Sequence, residues 1–165
     1  MMVSRSAHFY MAVALLAAAV PVTGLAADRP GYEWVEEEGT GAAFIYYGSR
    51  DADPFDEAPF LLSCNNESKH VTFIFRQAEG AKVGKPPTVE LSAGTAKASL
   101  TGVMSTPDEN GHTSFQTIVD GVKPVVAVVQ APGALTVKMG ETTMTLPEKG
   151  RAEAADKFVK GCKVE

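Results

Sequence analysis

Two cysteines, Cys64 and Cys162, stand nearly a hundred residues apart, the second close to the C-terminus, and they are the only two in the chain. One intramolecular pairing is available to them. In the loop-entropy picture, a bridge closing a loop of roughly 100 residues contributes about 4–5 kcal/mol, although measured values are often smaller. A catalytic thiol at Cys64 and an intermolecular bridge are the competing readings. Neither residue belongs to a Cys-x-x-Cys pair, so a thioredoxin-like redox site has no support. A structural bridge needs an oxidising compartment, and the N-terminus offers a route to one.

Residues 1–27 read as a secretory signal. Arg5 supplies a short basic region, Phe9–Val22 is an apolar run, and Pro21 and Gly24 break it before the small residues Ala26 and Ala27. Cleavage after Ala26 places Gly24 and Ala26 at the recognition positions. The apolar run is shorter than the roughly 20 residues a bilayer span requires, and no second such run follows. Leu25-Ala26-Ala27 is followed by Asp28 rather than Cys, so there is no site for a lipid anchor. These features predict a periplasmic or secreted protein with no membrane span in its mature form.

The mature part, residues 28–165, is long enough for a single domain with one core. Charge is unevenly distributed along it. Asp28–Glu67 carries ten acidic and two basic residues, whereas Ser68 onward carries ten acidic and twelve basic. No basic stripe suits nucleic acid. The acidic half suits a cationic partner or ions, with solvated loop charge as the plainer explanation.

Abundant Gly, Thr, Val and Pro favour strands and turns. Ala42–Tyr47 is β-prone. Phe60–Cys64 and Val71–Arg76 read as a hairpin, with Val71, Phe73 and Phe75 on one face of the second strand. Thr88–Leu91 and Lys97–Met104 read as strands flanking Ser92–Thr95. Asn110-Gly111 marks a tight turn before a strand at Thr113–Val119. Leu135–Met139 and Thr142–Leu146 form a hairpin about Gly140-Glu141. Lys123–Gln130 is ambiguous: its four valines favour a strand, the preferred reading, while Pro124 suits the first turn of a short helix. Gly150–Gly161 is the convincing helix, with Ala152, Ala155, Phe158, Val159 and Cys162 at helical spacing. The expected fold is mainly β: a small β-sandwich or barrel of about eight strands with one C-terminal helix.

Signals for chemistry are sparse. Only His70 and His112 follow the leader, with no ligand spacing between them, so neither is expected to bind metal. Asp51, Asp53 and Asp56 make the densest group of oxygen ligands, a weak cation candidate. Pro54 and Phe55 interrupt the calcium-loop pattern there. No Gly-x-Ser-x-Gly elbow or Ser-x-x-Lys pair is present. Paired carboxylates for glycoside hydrolysis stay open, because sequence does not show geometry. Trp34, Tyr46 and Tyr47 belong to an early aromatic cluster. Since Tyr46 and Tyr47 face opposite ways on a strand, one tyrosine is expected at the surface, where it suits a binding partner. Ordinary core packing is the preferred explanation for most of the cluster, and the exposed binding patch the alternative.

The layout of Trp34, Tyr47-Gly48, Leu62-x-Cys64, Leu135-Thr136-Val137 and a terminal helix ending in Cys162 resembles small single-disulfide periplasmic β proteins of unassigned function. That resemblance implies a compact β fold with one bridge and no catalytic residues to carry over. More distantly, Cys64, Val71-Thr72-Phe73 and Leu91–Lys97 resemble periplasmic inhibitors of c-type lysozyme, which present a Ser-x-Ser-Gly-Ala-Lys/Arg-Tyr loop to the enzyme. Ala93 replaces the second Ser, Thr95 follows Gly94, and the Tyr is absent. By that resemblance Ser92 and Lys97 are the matching contacts. The expected function is that of a non-catalytic exported envelope protein, without cofactor, binding a protein partner or small ligand. A lysozyme-inhibitor-like protein is the alternative and a small envelope hydrolase the third reading.

Overall fold

The computed structural model describes residues 25–26, 29–76, 86–107, 112–119 and 121–163. The expected turn at Asn110-Gly111 lies outside them. The strands are β1 (Leu25–Ala26), β2 (Glu33–Gly39), β3 (Ala42–Gly48), β4 (Phe60–Asn65), β5 (Val71–Arg76), β6 (Thr88–Ala93), β7 (Ala96–Thr101), β8 (Val103–Met104), β9 (Ser114–Ile118), β10 (Leu135–Met139) and β11 (Thr142–Leu146). Three helices accompany them: α1 (Pro54–Glu57), α2 (Val122–Gln130) and α3 (Arg151–Cys162). The strands form two open sheets, β1-β11-β10-β6-β7 and β2-β3-β4-β5-β9-β8. Because neither sheet closes on itself, the architecture is a sandwich rather than a barrel. All pairings are antiparallel except that of β1 with β11, where Leu25 lies opposite Met144.

The six-stranded sheet is held by an aromatic row across its inner face. Register places Trp34 opposite Tyr47, Tyr47 opposite Phe60, Phe60 opposite Phe75, and Phe75 opposite Phe115. The Trp34 ring lies 5.4 Å from that of Tyr47 and 5.3 Å from that of Phe60. Cross-strand aromatic pairs of this kind stabilise the ladder beyond the area they bury. The Trp34 indole N–H donates to the Pro147 carbonyl at 2.7 Å, tying this row to the β11–α3 connection.

The outer face of the same sheet is also partly apolar. Val35, Tyr46, Leu61 and Ile74 form a second buried cluster with Ala58. The segment bearing α1 covers it, and the Phe55 ring meets that of Phe44 at 5.5 Å. Burial on both faces explains why these strands read as nearly continuous apolar runs.

The disulfide joins Cys64 on β4 to Cys162 at the end of α3, with 5.8 Å between their α-carbons. Helix α3 lies over β2 and β3, and α2 over β6 and β7, with the two helices also in contact. Gly161 eases that approach: a β-carbon there would stand 2.9 Å from Glu38 Oε1 and 3.1 Å from the Ala43 β-carbon, so both neighbours would have to give way.

Three expectations are corrected. Lys123–Gln130 is a helix, not a strand. Gly121 adopts φ +75° at its N-cap, Pro124 lies in its first turn, and Val125, Val128 and Val129 are buried. That spacing of i, i+3 and i+4 fits one helical stripe, so packing overrides the valines' β preference. The expected strand Lys97–Met104 breaks at Gly102, where the chain leaves the five-stranded sheet for the six-stranded one. A β-carbon at Gly102 would fall 2.3 Å from the Gln116 carbonyl oxygen and 2.7 Å from the Phe115 ring. In α3 the inward stripe is Arg151, Ala154, Ala155, Phe158 and Cys162; Ala152 is exposed and Val159 half-buried.

Candidate functional site

Solvent-facing positions on three adjacent strands of the five-stranded sheet meet in a cavity of about 460 Å³. Strand alternation alone decides which residues point there. On β6, Val89 and Leu91 are buried while Glu90 and Ser92 face outward. On β7, Leu100 is buried while Lys97 and Ser99 face outward. On β10, Leu135 and Val137 are buried while Thr136 and Lys138 face outward.

Register assembles two rows across the three strands. One row reads Lys138, Glu90, Ser99, and the other reads Thr136, Ser92, Lys97. All six line the cavity, together with Leu91 and Ala98. Among the described residues, none is hydrogen-bonded or ion-paired to these six side chains. Toward the rest of the described chain, the six therefore keep their donors and acceptors free for water or a ligand.

The site rests on a braced hairpin. β6 and β7 are joined by Gly94-Thr95, with Gly94 at φ +54°. A β-carbon at Gly94 would stand 3.1 Å from the Pro132 carbonyl oxygen, so the hairpin tip abuts the segment between α2 and β10. Arg151 holds that segment from inside. Its side chain is 1% exposed. It donates to the Val129 carbonyl at 2.9 Å, to the Gly133 carbonyl at 2.7 Å, and to the Ala131 carbonyl. Desolvation lowers the Arg151 pKa, with Glu148 opposing that shift. Its Nη1 is buried without a partner among the described residues.

Of the residues with sequence-level candidacy, Ser92 and Lys97 are directly opposite each other in this site. They stand on the flat of a paired ladder rather than in a projecting loop, because only Gly94 and Thr95 lie outside the strands. No signal in the sequence joins Glu90, Ser99, Thr136 and Lys138 to this pair. The alternation of each strand marks them as outward-facing, but the adjacency of β10 to β6 is tertiary.

The exposed patch suggested for Trp34, Tyr46 and Tyr47 is also corrected, and core packing accounts for them. Trp34 is 5% exposed and Tyr46 and Tyr47 are fully buried, because both faces of their sheet are covered. The Tyr46 hydroxyl donates to Glu37 Oε1 at 2.8 Å. Burial first, and then this hydrogen bond and the Glu37 charge, raise the Tyr46 pKa.

Among the described residues, no group of three or more His, Cys, Asp or Glu side chains is placed to hold a metal. Asp53 instead caps α1, accepting from the Phe55 amide at 2.8 Å, while Asp51 and Asp56 are exposed. His70 and His112 are both exposed. No helix among the described residues is long and apolar enough to cross a membrane.

No protein-family model matches the chain, and neither does any curated protein. Among solved structures, it resembles the crystal structure of invasion associated protein b from Bartonella henselae. The two are 20% identical with a TM-score of 0.48, over 81% of this chain and 99% of that one. No family assignment follows, and the similarity to c-type lysozyme inhibitors gains no support.

Proposed function

We propose that this is an exported, non-catalytic envelope protein that holds a small polar ligand on the outer face of its five-stranded sheet. One observation carries the reading: six polar side chains that engage no described residue line one cavity. Groups presented from paired strands are better pre-organised than groups on loops, which favours recognition. Lys97 is exposed to water beside Ser92. A lysine that serves as a nucleophile is instead desolvated or set beside another cation, so the exposed Lys97 favours binding over catalysis. The disulfide supports an oxidising compartment, in keeping with the leader-like N-terminus.

Native mass spectrometry of the protein isolated from its own envelope tests this. The expected result is a non-covalent added mass on the native protein that is absent from the Lys97→Glu, Lys138→Glu double variant. A bare native protein refutes the ligand-holding role. Turnover of the recovered ligand refutes the non-catalytic one.

A further inference from the structure

We infer that the ligand of this face is an acidic saccharide of about two sugar units, an inference that rests on the binding role proposed above. The two ammonium groups lie on the flanking strands, Lys138 on β10 and Lys97 on β7, with β6 between them. Lys138 is opposite Glu90 and Lys97 opposite Ser92. Two interstrand spacings and an offset of two residues put the lysine backbones about 12 Å apart. Two linked sugar rings bearing carboxylates match that span.

The residue between the cations selects the class. Glu90 stands on the central strand and its carboxylate only accepts hydrogen bonds. A polyphosphate laid between the lysines offers that carboxylate charge repulsion and no donors. A saccharide offers it hydroxyl donors while its own carboxylates meet the lysines. Ser92, Ser99 and Thr136 each donate and accept, which suits a ligand rich in hydroxyls. An extended acidic peptide is disfavoured by the geometry. Peptides gain affinity from backbone pairing at a sheet edge, whereas these groups stand perpendicular on a sheet face whose central strand is paired on both sides.

The test is amide chemical-shift titration of the oxidised protein at low salt with four probes: digalacturonate, lactose, pyrophosphate and triglutamate. Digalacturonate should shift amides around Glu90, Ser92, Ser99 and Thr136, and the other three should bind at least tenfold more weakly. Lys97→Gln with Lys138→Gln should weaken digalacturonate at least tenfold and remove its salt dependence. Glu90→Gln should weaken digalacturonate while strengthening pyrophosphate. These exposed substitutions should leave the rest of the spectrum in place. Equal binding of lactose, pyrophosphate or triglutamate overturns the acidic-saccharide class and leaves the face a binding site. The absence of shifts on this face with every probe overturns the inference, and the envelope-derived mass then decides the binding role separately.

Discussion

Replacing Arg151 with alanine removes a side chain that ties the end of α2 and the segment after it to the start of α3. Three carbonyls, those of Val129, Ala131 and Gly133, lose their charged donor at once. Hydrogen bonds to charged groups contribute about 1.5–3 kcal/mol each, and a buried acceptor left empty costs about 1–3 kcal/mol. Removing the guanidinium also relieves its own desolvation, which already lowers its pKa. That relief offsets part of the loss, leaving a net destabilisation of about 3–5 kcal/mol from three charge-assisted hydrogen bonds. For a domain whose total stability is about 5–15 kcal/mol, this is a large fraction. Equilibrium unfolding in guanidinium under oxidising conditions measures it, with the buried Trp34, the only tryptophan, as the fluorescent probe. Arg151→Lys should lie between native and alanine, since a lysine cannot present the planar fork that reaches three carbonyls. Arg151→Met should be nearly as damaging as alanine, because it fills volume but supplies no donor. A loss below about 1 kcal/mol for alanine, or a native-like methionine variant, would refute the reasoning, since three carbonyls deprived of a charged donor, one of them buried, should cost more than that.

Replacing both Cys64 and Cys162 with serine should lower unfolding free energy by about 2–5 kcal/mol, read by the same denaturation. Gly102→Ala should cost about 1–3 kcal/mol, because the Gln116 carbonyl and the Phe115 ring must both move; a neutral effect in calorimetry would contradict the close crossing. Glu36 has its pKa raised above the ordinary 4.5, by burial first and then by Glu38. Its neutral form therefore suits the fold better than its ionised form. Ionised Glu36 costs stability above the folded pKa, and the cost fades as pH falls toward the unfolded value. Glu36→Gln should stabilise at neutral pH by less than about 1 kcal/mol after solvent screening, and the gain should vanish in acid. A gain that grows on acidification would reverse that sign.

Local pattern settled much of this protein. Alternation in Val71–Arg76 marked a two-faced strand, and the Cys64–Cys162 bridge formed as the only intramolecular pairing available. The hairpin about Gly140 was likewise readable, because a glycine at positive φ between two alternating runs is a short-range signal. Long-range neighbours decided the rest. The valines of Val122–Gln130 coil because Val125, Val128 and Val129 meet the core together, which no propensity reports. Tyr46 and Tyr47 are both buried because the α1 segment returns over one face while the sandwich closes the other. Ser92 and Lys97 carried a sequence signal, but Thr136 and Lys138 join them only because β10 pairs with β6 after two excursions of the chain through the other sheet and α2. Side-chain direction follows from a two-residue period, whereas strand order follows from which surfaces bury each other. The cavity needs both.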